Sequence, residues 1–236
     1  MLMLDHIVHL TRKDPEYTVK IWKKEGLHAV VGGRHRQWGT QNALLYTATS
    51  YVEWLSLEEQ ETAKLANHPL TELLLHDEVG FGTICLRTDD IHETDQRLQR
   101  AGFTTTGVMP AERQTASGAT RRWQLLFIKE EISDELPFPF FIEWEEEDAS
   151  RYEKLRRDGT ILPENEALNI EKCVFGVKEP ATAEERWKRL LGGSLQLPNC
   201  RMEFRESTNQ RERLEEVVFK NGTRKMMFEQ GRYLVP

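Results

Sequence analysis

Residues 51–54 read Tyr-Val-Glu-Trp, and residues 141–144 read Phe-Ile-Glu-Trp. Each stretch places one glutamate, Glu53 or Glu143, inside an apolar run of the kind that forms a strand. Burying a lone carboxylate is costly, so each glutamate needs a partner or stays neutral. The repetition predicts that two similar units each supply one glutamate to a common site.

The residues before the first stretch predict a strand, a helix and three further strands. Residues 3–10 alternate in hydrophobicity, which is typical of a strand, and place His6 on one face. Asp14 and Pro15 form a helix start, with the aspartate as N-cap, and Gly26 ends that helix. The remaining predicted strands are 27–31, 42–48 and 51–57, with a loop over 32–41.

The same order of elements recurs twice along the chain. In the second copy we predict strands at 83–88, 103–108, 121–128 and 140–145, a helix over 89–101, and loops at 109–120 and 129–139. In the fainter third copy we predict strands at 170–177, 200–205, 214–220 and 224–229 and a helix over 181–191. Asn221-Gly222 predicts a hairpin between its last two strands. The chain is therefore predicted to be α+β, built of tandem βαβββ modules.

The predicted domain organisation follows from these copies. Two modules cover residues 1–146, and a third, fainter module follows at the C-terminal end. The boundaries are 1–57 for module one, 58–79 for a helical connector, 80–146 for module two, 147–169 for a linker and 170–236 for the third module.

Composition narrows the classes of partner. The 236 residues include 32 basic and 39 acidic side chains, a net charge of −7, without a basic block, which argues against nucleic acid. No apolar run is long enough for a membrane helix. Three widely spaced cysteines predict neither a disulfide framework nor a structural zinc site. We therefore expect a soluble cytoplasmic protein.

These motifs resemble the vicinal oxygen chelate superfamily, which includes glyoxalase I, extradiol dioxygenases and the bleomycin and fosfomycin resistance proteins. The similarity is greatest to its glyoxalase-like domain branch. It rests on the segments 4–8, 33–35, 39–44, 51–54, 86–91, 122–123 and 139–144. The resemblance implies that two modules curl into a cup and that each supplies one metal ligand from its first strand and one from its last.

The ligand positions implied by the resemblance fall on His6, Thr83, Glu53 and Glu143. Thr83 departs from the family pattern, which has histidine there, and a hydroxyl is a poor ligand. His6, Glu53 and Glu143 would then hold a divalent metal such as Mn, Fe, Zn or Ni. Glu53 and Glu143 are also the predicted catalytic groups, because two close carboxylates without a metal share a proton.

The sequence also predicts a polar rim around the site and two tryptophans with a structural role. Substrate contacts are assigned to Arg34, His35, Asn42, Arg122 and Trp123, which precede the two glutamates on neighbouring strands and loops. Trp54 and Trp144 follow the glutamates directly, so they are expected on the opposite face, packed under the helices. The other histidines, including His9 and His68, show no ligand spacing and are expected to be structural.

Two functions of different classes remain open from the sequence. The first is a metal-dependent lyase, isomerase or dioxygenase acting on a small oxygenated molecule. The second is a binding protein of the resistance type, whose cup holds a small apolar or aromatic ligand without metal. The third module leaves a sheet face or edge uncovered, which predicts either packing on the cup or a homodimer formed through that module.

Overall fold

The computed structural model describes residues 1–114 and 120–236, and within them the chain forms thirteen strands and seven α-helices. The strands are β1 (Met3–Leu10), β2 (Val30–His35), β3 (Thr40–Tyr46), β4 (Tyr51–Leu57), β5 (Gly80–Arg87), β6 (Met109–Gln114), β7 (Thr120–Leu126), β8 (Phe140–Trp144), β9 (Ile170–Val177), β10 (Arg201–Glu206), β11 (Arg213–Phe219), β12 (Arg224–Phe228) and β13 (Gly231–Val235). The helices are α1 (Pro15–Lys24), α2 (Gln60–Leu65), α3 (Pro69–Asp77), α4 (Ile91–Arg100), α5 (Asp148–Arg157), α6 (Pro163–Glu166) and α7 (Pro180–Leu191).

Two βαβββ modules share one eight-stranded sheet of order β2-β3-β4-β1-β5-β8-β7-β6. In module one β1 pairs in parallel with β4, and in module two β5 pairs in parallel with β8. The antiparallel pair β1–β5 joins the modules at the centre of the sheet. The sheet curls until its edge strands β2 and β6 approach each other. The predicted α+β fold with tandem modules is confirmed.

The helix caps act as the sequence predicts. The Asp14 side chain accepts a hydrogen bond from the Tyr17 backbone N–H at 2.7 Å, and Pro15 occupies the first helical position. Beyond the end of α1, Gly26 takes φ +79°, a conformation that glycine adopts at low cost. The helix buries Trp22 against Trp54 of β4, with ring centroids 4.4 Å apart. This contact fixes α1 on the outer face of the sheet.

Three predicted boundaries in the two modules are wrong. The loop predicted over 32–41 contains half of β2 and a short 3-10 helix at Arg36–Trp38, because Gly32 and Gly33 mark a register shift between Val31 and Arg34 rather than a loop. The strand predicted over 103–108 is absent among the described residues, and the following strand is β6. The loop predicted over 109–120 begins as β6, and its residues 115–119 lie outside the described residues.

The third unit forms its own five-stranded sheet of order β10-β9-β11-β13-β12. Its first strand, β9, pairs in parallel with the second strand of the unit, β10, whereas β1 and β5 pair in parallel with the last strands of their modules. The predicted hairpin through Asn221-Gly222 is wrong: β11 pairs with β13, and β12 also pairs with β13. The reason is β13, a last strand missed in the sequence, which lies between the two strands expected to be neighbours.

The third unit packs on the outer face of the large sheet in the same chain. Its Tyr233 and Phe228 contact Trp22, with ring centroids 4.8 and 6.0 Å away. Arg213 of β11 is buried and pairs with Asp77 at the end of α3, at 2.6 and 3.0 Å. The third unit therefore packs on the cup, which is one of the two predicted arrangements. The other, a homodimer, stays a prediction. No helix of the described residues is long and apolar enough to cross a membrane.

Candidate functional site

The curled sheet encloses a small cavity of about 70 Å³ on its inner face. Most of its wall is aromatic or aliphatic, and the polar groups on the wall come mainly from module one and the connector. The polar lining residues are His6, His35, Thr40, Asn42, Glu53, His68, Thr71 and Arg121. A wide groove outside the cavity shares Trp38, Trp123 and Trp144 with it, so these three rings border both spaces.

Asp5, His6 and Glu53 form a chain of polar contacts at the centre of the sheet. The Asp5 carboxylate lies 2.8 Å from His6 Nδ1, so Nδ1 donates to it. Nε2 then faces Glu53 Oε2 at 3.5 Å. The imidazole stacks on the Tyr51 ring with centroids 4.5 Å apart. An imidazole nitrogen facing a carboxylate in a largely apolar cavity is suited to holding and moving one proton.

The charge of Asp5 is compensated by two buried arginines. Its Oδ2 lies 3.3 Å from Arg87 Nη1 and 3.7 Å from Arg151 Nη2, and accepts a hydrogen bond from Trp144 Nε1 at 3.0 Å. Burial raises the pKa of Asp5, but the bond to His6 and the charges of Arg151 and Arg87 outweigh it and hold the pKa well below its usual range. Asp5 is therefore ionised and fixes the orientation of His6.

Asn42 positions the carboxylate of Glu53. Its Nδ2 donates a hydrogen bond to Glu53 Oε1, and its Oδ1 accepts one from the Gly33 backbone N–H at 2.7 Å. A Cβ at Gly32 would lie 2.0 Å from Asn42 Oδ1, so only glycine permits this close approach. The glycine pair of β2 thus holds Asn42, which in turn leaves Glu53 Oε2 directed at His6.

Glu143 does not lie in this cluster. Its carboxylate accepts a hydrogen bond from the Ile91 backbone N–H at 2.8 Å, at the first turn of α4 on the outer face. The two repeated stretches differ in register, because Tyr51 pairs with His6 whereas Phe140 pairs with Cys85. Phe140 therefore occupies the place of Tyr51, and glutamates matched in sequence fall on opposite faces.

The same register shift determines the face of the sheet on which each of the two tryptophans lies. Trp54 packs under α1 as predicted. Trp144 does the opposite of the prediction: it borders the cavity, and its indole N–H binds Asp5. Arg151, from helix α5 in the predicted linker, lies against the Trp144 ring with its guanidinium carbon 4.5 Å from the centroid. No sequence motif indicated this arginine.

The residues present do not fit the metal site implied by the resemblance. His6 and Glu53 converge, but module two supplies no matching ligands: Thr83 Oγ1 donates to the Phe138 carbonyl at 2.8 Å, and β8 lines the cavity with Phe140 and Ile142. Asp5, His6 and Cys85 do place donor atoms within 4.8 Å of one another. However, Asp5 and His6 bind each other there.

The Cys85 thiol is the third donor of that group. Burial, with the nearby charge of Asp5, raises its pKa well above its usual range, so it stays protonated. A metal binds the thiolate and not the thiol. Metal binding by the trio would therefore have to displace the thiol proton and break the Asp5–His6 contact.

The predicted substrate residues divide between the two spaces. His35, Asn42 and Trp123 line the cavity, whereas Arg34 and Arg122 line the outer groove of about 1730 Å³. Arg34 pairs with Glu58 at 3.0 Å, and Arg122 with Glu112 at 3.2 Å. The sequence missed His68 of the connector, which was expected to be structural and lines the cavity.

Comparison with known proteins agrees with the fold. The Glyoxalase-like domain family profile matches residues 4–191. A hypothetical protein from Staphylococcus aureus is 25% identical, covers 99% of this chain and 98% of its own, and superposes with a TM-score of 0.83. No protein of curated function matches the sequence.

Two enzymes of known name are more distant. Methylmalonyl-CoA epimerase from Mycobacterium tuberculosis is 14% identical, with 62% of this chain and 91% of that chain covered and a TM-score of 0.41. The Streptomyces coelicolor epimerase in complex with 2-nitronate-propionyl-CoA is 16% identical, with 61% and 97% covered and the same TM-score of 0.41. Their activity is not transferred to this chain. On the family match over residues 4–191, the chain belongs to the glyoxalase-like domain family.

Proposed function

We propose that this protein is a small-molecule enzyme of the lyase or isomerase class in which His6 and Glu53 move a proton. The observation that supports it is the Asp5–His6–Glu53 chain, with His6 Nε2 3.5 Å from Glu53 Oε2 inside a largely apolar cavity. An ionised aspartate held by two arginines behind a histidine serves no packing need that an apolar pair would not meet. It does orient an imidazole for proton transfer.

The chemistry suited to this arrangement is proton removal next to a carbonyl. Glu53 takes the proton from the carbon, and the electron pair of the broken C–H bond moves onto the carbonyl oxygen as an enolate. His6 shares the proton with Glu53 and returns it to the same or a neighbouring carbon, so no other reactant is needed. Asp5 stabilises the imidazolium that forms during this exchange.

The expected metal and its dioxygenase chemistry receive less support. Glu143, the third expected ligand, binds the start of α4, and the inner face of module two offers phenylalanine and isoleucine at the matching positions. Two side-chain ligands from one module are fewer than catalytic metal sites use. We therefore derive no step through a metal.

A non-catalytic binding protein is the second candidate. It is favoured by the cavity wall, where leucine, isoleucine and aromatic rings from both modules surround the few polar groups. Such a wall binds an apolar or aromatic molecule by burial alone. The two candidates differ in whether a bound molecule undergoes exchange of a carbon-bound proton.

The test is deuterium exchange of small ketones and aldehydes in D₂O, followed by proton NMR with EDTA present. Wild type should accelerate exchange of one or more of these probes, and Glu53→Gln should lower the rate about 10²- to 10⁴-fold. Glu143→Gln is the matched control, since it changes the other repeated glutamate and should retain the rate. Binding without exchange would favour the binding protein, and exchange that needs added Mn²⁺ would favour a metalloenzyme.

We also propose a cytoplasmic location. Cys85, Cys173 and Cys200 are free and buried, and the Sγ atoms of the last two lie 3.6 Å apart without a bond. Unbonded thiols this close are typical of a reducing compartment. Fractionation of the producing cells would test this, and recovery of the protein outside the cytoplasm would contradict it.

A further inference from the structure

His68 is a buried histidine that the proton-transfer site does not use. It precedes α3 in the connector and lines the same cavity as His6 and Glu53. Its ring stacks on Trp38 with centroids 4.0 Å apart and meets the edge of Phe127 at 5.4 Å. Among the described residues, neither of its ring nitrogens has a hydrogen-bond partner. A buried polar group without a partner is unfavourable, so it calls for an explanation.

Local structure does not explain the imidazole. His68 occupies the N-cap position of α3, but its side chain makes no capping hydrogen bond, and Pro69 begins the helix. Its contacts with Trp38 and Phe127 are ring contacts that a phenylalanine would also make. Within the part of the chain that the structure describes, the two nitrogens therefore have no role.

Burial keeps this imidazole uncharged. Desolvation, with His35 nearby, lowers the pKa of His68 to about 3. At neutral pH one ring nitrogen donates a hydrogen bond and the other accepts one. Such a group pairs well with a hydroxyl or a carbonyl oxygen and offers no positive charge to a carboxylate.

His68 and Glu53 line one cavity from different elements, the connector and β4. Trp38 links His68 to His35 of β2, because its ring contacts both imidazoles, with centroids 4.0 and 5.2 Å away.

We propose that His68 is a binding subsite for an uncharged oxygen, a hydroxyl or carbonyl, on a ligand with an aromatic body. The body would lie among Trp38, Trp123 and Trp144, which border both the cavity and the outer groove. This inference rests on the proposed function in that the same cavity takes the substrate. It adds the substrate class: an aromatic molecule with an uncharged hydroxyl or carbonyl oxygen.

Three probes of one shape test it: 4-methylphenol, toluene and 4-methylbenzoate, with affinities measured by NMR titration. Wild type should bind 4-methylphenol about tenfold more tightly than either other probe. His68→Phe keeps the ring contacts and should weaken 4-methylphenol alone by about five- to tenfold, as expected for one lost hydrogen bond. His68→Asn, which retains a donor and an acceptor, should restore part of the preference.

A measurement on wild type makes the test independent of variant folding. The His68 ring nitrogens should shift in a long-range proton–nitrogen spectrum on adding 4-methylphenol and not on adding toluene. Unshifted nitrogens, equal binding of the three probes, or an unchanged preference in His68→Phe would each overturn the proposal. Glu53→Gln should lose exchange activity and keep the probe preference, so failure of the proton-transfer function is distinguishable from failure of the subsite.

Discussion

His9 makes the stability of this protein depend on pH in a way that can be calculated. The side chain is fully buried between the large sheet and the third unit, where Nδ1 lies 2.6 Å from the Tyr233 hydroxyl. Burial lowers its pKa to about 3, so it stays neutral in the folded protein. In the unfolded chain it is protonated below about pH 6.5.

The unfolded state therefore binds more protons than the folded state between these two values, and stability falls as the pH is lowered. The slope approaches ~1.4 kcal/mol per pH unit, so lowering the pH from 7 to 5 should cost about 2 kcal/mol from His9 alone. The result depends little on the exact folded pKa, since pH 5 lies well above it.

The free energy of unfolding of wild type and of His9→Phe can be measured by urea unfolding at pH 7 and at pH 5. The variant loses the Tyr233 bond and should be less stable than wild type at pH 7, but its further loss at pH 5 should be smaller by about 2 kcal/mol. His92→Gln is the matched control, because His92 is exposed on α4 and should leave the pH dependence unchanged. If wild type and His9→Phe lose the same free energy of unfolding between pH 7 and pH 5, His9 is not the source of the pH dependence.

Three further perturbations follow from the buried charges and the donor set. Asp5→Asn removes the buried carboxylate that Arg87 and Arg151 share and leaves them only the partly exposed Asp148, so it should cost about 1–3 kcal/mol in urea unfolding; an unchanged free energy of unfolding would contradict the ion network. Arg213→Met breaks the buried pair with Asp77 and should speed proteolysis of the third unit, whereas cleavage at the wild-type rate would show that this pair does not anchor it. Incubation with EDTA should leave the melting temperature unchanged, since module two supplies no ligands, and a marked decrease would point to a structural metal.

The order of elements was predictable because its signals are local. Asp14 and Asp90 cap their helices through bonds to residues three positions later, and strand alternation is read over a few residues. These signals act whatever the rest of the chain does. The similarity between the modules was also predictable, because the repeated Glu-Trp stretches correctly indicated a repeated order of elements.

The repeat did not predict the face of the sheet on which each side chain lies. Asp5 lies at a register shift between Leu4 and His6 against β5, so Asp5 and His6 contact each other although simple alternation separates them. Glu143 has sequence neighbours similar to those of Glu53, but its pairing with β5 places it on the outer face. A shift of one residue reverses every side chain of a strand, and no local signal reports it.

The remaining site residues come from segments without a motif. Arg151 lies in a helix expected to be a linker, and His68 in a connector expected only to cover the sheet. Both reach the site through contacts distant in sequence, Arg151 with Asp5 and His68 with Trp38. A buried arginine is the kind of residue that requires such a partner, but the sequence does not say which carboxylate it has.

These observations assign different tasks to the two modules. In the proposed function, module one supplies His6 and Glu53, which exchange the proton, and Asn42, which positions Glu53. Module two supplies an apolar wall together with Arg87 and Trp144, which contact Asp5. A symmetric metal site needs equal donors from both halves. An acid–base pair needs only one module to supply the reacting groups, while the other module orients these groups and excludes water. The register shift of the repeated glutamate is what separates these roles, because it replaces the second carboxylate by Ile142 and frees Trp144 to bind Asp5.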